Sequence, residues 1–263
     1  DAPVPRIVVG GNAMGFIGKT IRFIGKEAHA GGAPDKGINA LNAAALAIMA
    51  INSQRETFRD CDSVRVHPII TKGGDLVNIV PADVRMESYV RANTVEAMQD
   101  ANRKVNRAIR GASYAIGAKS EIDDMAGYLP LRQSRPLTAL AAANAAELIG
   151  GDHVFHGLPF AGSTDMGDLG YTIPVIQPTV SGFSGAAHSC EFTISDPEYA
   201  YIIPAKLMAM TAIDLLENGA EKAAAVKQSF RRRTPEEYRS VWDNILHAGS
   251  KENGGPSGNG GSH

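Results

Sequence analysis

The strongest constraint on this chain is the order in which two hydrophobic periods follow each other between residues 17 and 128. Five consecutive segments show the strand period or the helix period in turn: 17–24, 37–52, 64–91, 94–109 and 119–128. The third segment contains two strands joined by a KGGD turn. The order is therefore β-α-β-β-α-β, the ferredoxin-like split unit, in which two helices cover one face of an antiparallel sheet. A stretch of about 110 residues is long enough for a complete domain.

Individual residues predict how these segments begin and which way they face. Pro34 and Asp35 are suitable start residues for the first helix, and Thr94 is suitable for the second. In the later strand, two sets of side chains alternate, so they lie on opposite faces: Val84, Met86, Ser88 and Val90 against Asp83, Arg85, Glu87, Tyr89 and Arg91. Asp123 and Asp124 in the last strand are expected to blunt one sheet edge.

The flanking segments, 1–15 and 129–226, predict a second and thinner α/β domain. They contain one strand, then a helix, a loop, a strand at 175–180, a loop and a long helix that Asp196 caps and Asn218-Gly219 ends. The chain also opens without Met and almost at once with a strand-like run. We therefore expect this α/β domain to be incomplete, with 16–128 inserted in it. Residues 227–263 are expected to form a charged and then disordered tail. Within that tail, the stretch from Thr234 has the pattern of a short amphipathic helix carrying Tyr238, Trp242 and Ile245.

Composition excludes several classes of partner. The 26 basic and 28 acidic residues give a net charge of −2 without a Lys/Arg cluster, so no nucleic-acid partner is expected. No apolar run approaches the roughly 20 residues of a membrane span. Cys61 and Cys190 lie far apart and fit neither a disulfide framework nor a CxxC metal site, so a reducing, cytoplasmic location is expected. No phosphate-binding glycine motif and no GxSxG nucleophile motif occurs in a suitable context.

Three stretches place a polar side chain among glycines and other small residues, where a ligand approaches closely. They are EAHAGGAP around His29, GGDLVNIVP with Asn78, and SGFSGAAHSCEF with His188. For each histidine the competing interpretation is a capping or loop residue without a ligand. In AGSTDMGD, Asp165 and Asp168 have three open interpretations: metal ligands, loop caps, or partners of other polar groups.

Taken together, these stretches resemble the aminoacylase and carboxypeptidase G type metallohydrolases. GKEAHAGGAPDKGINAL, GGDLVNIVPADVRMESYVRA, AGSTDMGDLGYTIPVIQP and SGAAHS carry the resemblance, which runs in order from about residue 5 to 226. Within that family the aminobenzoyl-glutamate hydrolase subgroup is the most similar. The resemblance implies an α/β plus α+β fold: a ferredoxin-like dimerisation domain inserted in an incomplete α/β catalytic domain, in a homodimer.

The resemblance also implies a reaction and the roles of four residues. Family members use two divalent metal ions, usually zinc, to hydrolyse the amide bond of N-acyl or N-aroyl amino acids. His188 corresponds to the last metal ligand. His29 corresponds to the histidine that reaches into the partner subunit's site and stabilises the oxyanion. Asn78 and Arg91 correspond to substrate-holding residues, and a solvated strand face is the competing interpretation for Arg91.

The sequence departs from the family in one large respect. The family's other metal ligands and its general-base glutamate lie in an N-terminal half that does not precede these residues here, and a single His188 does not build a two-metal site. The chain is therefore expected to lack part of the active site. The alternative function is a non-catalytic dimerisation or small-ligand-sensing module, because ferredoxin-like domains serve many functions. The acyl group, the metal and the sheet edge that pairs in the dimer stay open.

Overall fold

A computed structural model describes residues 5–158 and 160–246. The described chain divides into two compact units. The inserted unit comprises residues 15–129 together with 239–246. The flanking unit comprises residues 5–14 and the described part of 130–238.

Ten strands and six α-helices lie within the described residues. The strands are β1 Ile7–Val9, β2 Gly15–Ile24, β3 Arg65–Val66, β4 Ile69–Lys72, β5 Asp83–Ala92, β6 Lys119–Tyr128, β7 Val154–His156, β8 Thr179–Val180, β9 Phe183–Ser184 and β10 Thr193–Ile194. The helices are α1 Ala40–Ser53, α2 Val95–Ile116, α3 Arg135–Ile149, α4 Met166–Thr172, α5 Ile203–Ser229 and α6 Pro235–Leu246.

The inserted unit has the predicted ferredoxin-like topology. Its antiparallel sheet runs in the order β3-β5-β2-β6, and β4 also pairs with β5 beside β3. Alternation explains the two faces: in β2, Ile17, Ile21 and Phe23 are fully buried, whereas Thr20 and Arg22 between them are exposed. The buried set packs against α1 and α2, so the helices cover one face and leave the other open. The predicted fold class is confirmed.

The two helix starts differ in how well the sequence predicted them. Thr94 caps α2, since its side chain accepts a hydrogen bond from Ala97 N–H at 3.1 Å. The prediction that α1 starts at Pro34 and Asp35 is wrong, because Pro34–Lys36 form only a 3₁₀ turn. The chain then pairs Ile38 with Lys26, an extended contact that delays the helix until Asn39 caps it. The backbone pairing of Ile38 with Lys26 therefore outweighs the helix-start signal of Pro34 and Asp35.

A buried polar cluster lies on the helix-covered face. Lys19 of β2 is about 1% exposed and pairs with Asp124 of β6, and its Nζ donates to Asn106 Oδ1 at 2.6 Å. Asn102 and Asn106 of α2 donate to the second Asp124 oxygen at 2.8 and 3.1 Å. Burial lowers the pKa of Lys19 although Asp124 opposes the shift. The expectation that Asp124 blunts the sheet edge is wrong, because its side chain turns inward to this lysine.

Helix α6 confirms the predicted amphipathic helix within the stretch assigned to the tail. Thr234 and Glu237 form a reciprocal cap, with Thr234 N–H donating to Glu237 Oε2 at 2.8 Å and Glu237 N–H to Thr234 Oγ1 at 3.2 Å. Ile245 is fully buried, and its carbonyl accepts from Asn102 Nδ2 at 3.4 Å. Residues 235–246 are therefore helical. The predicted disorder of the remaining tail lies outside the described residues.

The flanking unit contains a small sheet in which β1 is central. β1 pairs parallel with β7 and antiparallel with β8. A core cluster connects this sheet to α3 and α5: Ile7, Val9, Ala141, Ala145, Ile203 and Leu207. The strand predicted for 175–180 is present only as Thr179–Val180, and β7 is not predicted because Val154–His156 is too short to show a period.

The long helix of the flanking unit begins and breaks where the sequence predicts. Asp196 Oδ1 accepts from Glu198 N–H at 3.0 Å and from Tyr199 N–H at 3.3 Å. At the other end, Asn218 and Gly219 have φ angles of 49° and 71°, so the helical path is interrupted there before it resumes. The segment Glu198–Ser229 is nevertheless long and apolar enough to cross a membrane by length and composition, which the sequence analysis does not anticipate.

Candidate functional site

His29 lies in the loop after β2, and its own backbone orients its ring. Nδ1 accepts hydrogen bonds from Gly32 N–H at 2.9 Å and from Gly31 N–H at 3.2 Å. An imidazole nitrogen that accepts carries no proton, so in the neutral ring the proton is on Nε2. The loop thus fixes one tautomer, with Nε2–H as the donor.

The glycines beside His29 lie close to its ring without being forced by it. A Cβ added at Gly32 would lie 3.4 Å from His29 Nδ1, and one at Gly31 would lie 3.7 Å from Cε1, which are ordinary van der Waals distances. The two positions matter here for their backbone amides, which bind Nδ1. The competing interpretation of a loop histidine is partly correct, since His29 does organise its loop, but only one of its two nitrogens is used in doing so.

The structure places Asn78 beside His29. Ala30 N–H donates to the Asn78 carbonyl at 2.9 Å, Val80 N–H donates to the Ala28 carbonyl at 2.9 Å, and His29 pairs with Ile79 in a β-bridge. The two loops thus extend the ladder of the sheet by a few residues. Asn78 is exposed, so its side-chain amide is accessible at the same tip.

Arg91 lies at the opposite end of the same sheet. Its guanidinium lies over a pair of rings on the open face, 5.7 Å from the centroid of Phe16 and 5.6 Å from that of Tyr89, and the two centroids are 5.0 Å apart. Tyr128 packs edge-on against Phe16 at 5.3 Å. Within the described residues Arg91 Nε is buried and has no hydrogen-bond partner. The rings hold the guanidinium without neutralising it, which suits a group that binds an anion.

The separation between these two places decides which predicted residues act together. β5 runs from Asp83, near the His29 tip, to Arg91, eight residues later. At about 3.3 Å per residue the two ends are roughly 26 Å apart. One substrate molecule of amino-acid size does not contact both ends. The structure therefore brings His29 and Asn78 together and separates Arg91 from them.

Ion pairs near the His29 end fix the start of β5. Arg22 Nε donates to Asp83 Oδ1 at 2.6 Å, and Lys72 and Arg85 approach Oδ2 at 3.3 Å each. The hydrogen bond from Arg22 is the main reason that the pKa of Asp83 is lowered to about 2, with Lys72 and Arg85 adding to it. This carboxylate is therefore ionised at any working pH, and it holds the strand rather than exchanging protons.

His188 lies in the loop between β9 and β10 of the flanking unit. It is exposed and has a φ of 67°, in the left-handed region that histidine tolerates better than most residues. Strained backbone of this kind concentrates at functional sites, which agrees with the predicted ligand role. Within the part of the chain described, no group of three or more His, Cys, Asp or Glu side chains is arranged to hold a metal ion. The described residues alone do not fit a two-metal centre.

The aspartates of AGSTDMGD have different environments. Asp168 accepts a hydrogen bond from the Tyr238 hydroxyl at 2.8 Å, so it is a partner of another polar group, one of the three interpretations left open. Asp165 precedes α4 but makes no capping hydrogen bond with its side chain. Ser163 Oγ nearby is buried without a partner among the described residues.

Sequence reasoning missed two features of the inserted unit. The aromatic stack around Arg91 brings Phe16 and Tyr128 from neighbouring strands, and only strand order and register place them together. The buried lysine was also missed, although a signal exists: Lys19 shares the alternation of Ile17 and Ile21, which puts it on the inward face.

Comparisons with known proteins agree on one family. Residues 13–115 match the peptidase dimerisation domain of M20 enzymes. The chain is 30% identical over 228 residues to the Xaa-Arg dipeptidase of Mus musculus, an alignment that covers 83% of this chain and 52% of that protein. The chain thus spans about half the length of the curated relatives that it matches.

Solved structures show the same fold at lower identity. A dinuclear metal binding peptidase of the M20 family, the YXEP protein of Bacillus subtilis, superposes with a TM-score of 0.61 at 21% identity, covering 80% of this chain and 53% of that one. The aminobenzoyl-glutamate utilization protein of Klebsiella pneumoniae has a TM-score of 0.51 at 21% identity, covering 87% and 52%. Identities this low establish similarity of fold.

Proposed function

Because residues 13–115 match the peptidase dimerisation domain of M20 enzymes and the chain resembles the mouse dipeptidase, we propose that it is an M20 protein and forms part of a metal-dependent hydrolase of amide bonds in N-acyl or N-aroyl amino acids and related dipeptides. The dipeptide substrate class is supported by the name of the mouse relative, Xaa-Arg dipeptidase. The N-acyl class is supported by the aminobenzoyl-glutamate protein that shares the fold. Cytoplasmic location is part of the proposal, supported by Cys61 and Cys190, which are both free thiols.

The observation that carries the proposal is the tautomer of His29. Hydrolysis of an amide develops negative charge on the carbonyl oxygen, and a fixed donor aimed at that oxygen stabilises the transition state. With Nδ1 occupied by two backbone amides, Nε2–H of His29 is such a donor, and the Asn78 amide lies at the same tip. A histidine that served only its loop would not need this neighbour.

Divalent metal, with zinc as the expected ion, belongs to the proposal for the whole enzyme. This chain contributes the single imidazole of His188 as a candidate ligand, and no other ligand set is found among the described residues. We therefore derive no catalytic step from the metal. What this chain supplies is the oxyanion donor, the Asn78 amide and the Arg91 guanidinium for a substrate carboxylate.

The distance between the two ends of the sheet implies that a homodimer is needed to bring His29 and Arg91 to the same site. His29 and Asn78 lie about 26 Å from Arg91 along β5, so within one protomer they serve different sites. In a homodimer with two-fold symmetry, the tip of one protomer completes the site of its partner, and each site receives Arg91 from one chain and His29 from the other. Each active site is thereby shared between two subunits.

Subunit mixing tests this sharing directly. His29→Ala and Arg91→Ala homodimers are each expected to be almost inactive with N-benzoyl amino acids. Mixed dimers contain one doubly defective site and one intact site, so equal mixing and reassociation is expected to restore about a quarter of wild-type activity. If both residues served the same site within one protomer, every site in the mixture would carry one defect and no activity would return.

The donor role of His29 has its own test. In the metal-loaded enzyme, His29→Ala is expected to lower kcat by about 10²–10³ while metal content stays unchanged. His153→Ala, a histidine of the flanking unit outside the motif, is the matched control and should retain wild-type turnover. Loss of metal in the His29 variant would contradict the donor role. Absence of hydrolysis in the metal-loaded wild type, with ligand binding intact, would favour the sensing module instead.

The edge that pairs in the homodimer is part of the same proposal. Side chains around the β4 edge and the adjoining α1 expose apolar surface: Met49, Ile69, Ile70, Leu76 and Val77. Leu41 of α1 lies close to Gly73 beside this edge. At the other edge, β6 exposes Lys119, Glu121 and Asp123. Because apolar surface favours association, we place the interface at β4. Val77→Asp should then shift the sedimentation coefficient to that of a monomer, whereas Glu121→Lys at the β6 edge should not.

A further inference from the structure

Three consecutive arginines, Arg231–Arg233, connect α5 to α6 in the flanking unit, and the proposed function gives none of them a role. Nη2 of Arg231 lies 3.9 Å from Oε1 of Glu237, so this cation is paired with the start of α6. Within the described residues, the side chains of Arg232 and Arg233 make no hydrogen bond and no ion pair. Adjacent cations repel each other, and an anion bound between them reduces that repulsion. The segment therefore offers two charges for a ligand.

These two arginines line a cavity of about 280 Å³ in the flanking unit. Lys227 lines the same cavity from the last turn of α5. The helix dipole favours a cation at that position, so Lys227 by itself does not indicate a ligand. Among the described residues that line the cavity there is no aspartate and no glutamate, since Pro235 is part of the lining and the neighbouring Glu236 is not. The cavity therefore combines three cations without an acidic wall.

Arg233 is held in place by an aromatic ring. Its guanidinium carbon lies 4.6 Å from the ring centroid of Tyr171, a residue that is about 4% exposed. A cation–π contact fixes the guanidinium over the ring without neutralising its charge. The N–H groups at the edge of a guanidinium held in this way can still donate to the two oxygens of a carboxylate. Arg233 is thus an ordered donor beside the cavity.

The remaining walls of the cavity are mainly apolar. Ile173 follows α4 and is about 51% exposed, although it is a large apolar side chain. Phe230 follows the end of α5, and Pro174 and Pro235 complete this part of the lining. Clefts that bind drug-sized molecules measure about 300–1,000 Å³, so this one is sized for a ligand with a single ring. Apolar walls beside cations match a ligand that has an apolar body and an anionic group.

We propose that this cavity is a binding site for a small aromatic carboxylate. The carboxylate binds between Arg232 and Arg233, Lys227 adds to the favourable field, and the ring lies against Phe230 and Ile173. On the proposed function, hydrolysis of an N-aroyl amino acid releases an acid of this class. That identification of the natural ligand rests on the proposed function, whereas the binding site itself does not.

Titration of the full chain with benzoate and with its neutral isostere benzamide, followed by NMR, tests the site. The wild type is expected to bind benzoate about fivefold more tightly than benzamide, and Arg232→Gln is expected to remove most of that preference. Arg231→Gln is the matched control, because Arg231 belongs to the same run but pairs with Glu237 and does not line the cavity. No preference in the wild type, or an equal loss in both variants, overturns the inference.

Acetate tests the apolar walls, because it carries the same charge without the ring. The wild type should bind acetate at least about fivefold more weakly than benzoate, since acetate buries much less apolar surface. Ile173→Ser should weaken benzoate about twofold and leave acetate unchanged, and the exposure of Ile173 makes this variant compatible with folding. Thermal unfolding verifies that each variant is folded. Equal affinities of acetate and benzoate in the wild type would contradict the assignment of an aromatic ligand.

Two further results separate this inference from the proposed function. Arg91→Ala should keep the Arg232-dependent binding of benzoate. Loss of all benzoate binding in that variant overturns the inference, because benzoate then binds only at Arg91. If the metal-loaded enzyme hydrolyses no N-acyl amino acid while benzoate binding still requires Arg232, the hydrolase proposal fails and the cavity site stands. If it hydrolyses them without any Arg232-dependent binding of benzoate, only the cavity site fails.

Discussion

The two faces of the inserted sheet use the same strands for opposite purposes. On the helix-covered face, the charge of Lys19 is buried and is matched by Asp124 and two asparagine amides. On the open face, the charge of Arg91 rests on two aromatic rings and its Nε is unpaired within the described residues. A buried charge must be satisfied by the protein itself, whereas a charge on an open face is available to a ligand. The difference separates residues that stabilise the fold from those that we propose bind substrate.

The largest expected effect is on the inward face. Asp124→Ala leaves Lys19 buried without a counter-charge, so the free energy of unfolding should fall by about 3–5 kcal/mol. Urea denaturation measures it. The double variant Lys19→Met with Asp124→Leu removes both charges and should recover most of the loss. If the double variant were as unstable as the single one, packing rather than the unpaired charge would be the cause.

Two adjacent residues of β2, Ile21 and Thr20, test the difference between the two faces through smaller changes in stability. Ile21 is fully buried, and Ile21→Val should lower the free energy of unfolding by about 1 kcal/mol. Thr20 next to it faces the open side, so Thr20→Ser should change the same quantity by less than about 0.5 kcal/mol. Thermal unfolding of both variants at one pH provides the measurement, and equal destabilisation would contradict the assignment of faces.

On the open face, Arg91 should matter more for binding than for stability. Arg91→Ala removes two cation–π contacts, which contribute about 0.5–1 kcal/mol at such a site. The same variant should abolish the measurable binding of N-acetyl-arginine and N-acetyl-citrulline alike, because both lose their carboxylate partner. Thermal unfolding and NMR titration of one sample give both values. A large loss of stability with normal binding would reverse the roles of the two faces.

The smallest expected effect concerns acid stability. The folded-state pKa of Asp83 is about 2, below its ordinary value near 3.8, so its contribution to stability is present above about pH 4 and is lost as the pH falls towards 2. Arg22→Ala removes the main cause of that shift. We expect this variant to differ from wild type at pH 7 and to converge with it near pH 2, as measured by urea midpoints. A difference that stayed constant with pH would exclude Asp83 as the origin.

Whether the sequence predicts a given helix or strand depends on whether that element is long enough to show its hydrophobic period. The ferredoxin-like order was predictable because β2, β5 and α2 are long enough to show their periods, and the α6 cap was predictable from Thr234 and Glu237. The start of α1 was not, because the Lys26–Ile38 pairing comes from tertiary structure. Short strands such as β7 give no period at all.

For the candidate site, the motifs identified His29 and Asn78, and the structure places them together. The motifs also grouped Arg91 with them, and the length of β5 separates it. Residue types indicate which chemistry a motif offers. They do not show that β5, a strand of ten residues, places Arg91 far from Asn78 although the two are close in the sequence.

The sequence by itself determined the order of elements, the two faces of each long strand and the residue types at the His29 tip, because these depend on local period and side-chain chemistry. Tertiary structure alone decided which side chains meet across strands: the rings beside Arg91 and the partner of Lys19. The physical reason is register, since pairing brings together residues far apart in the chain and a shift of one residue would turn each of them to the other face.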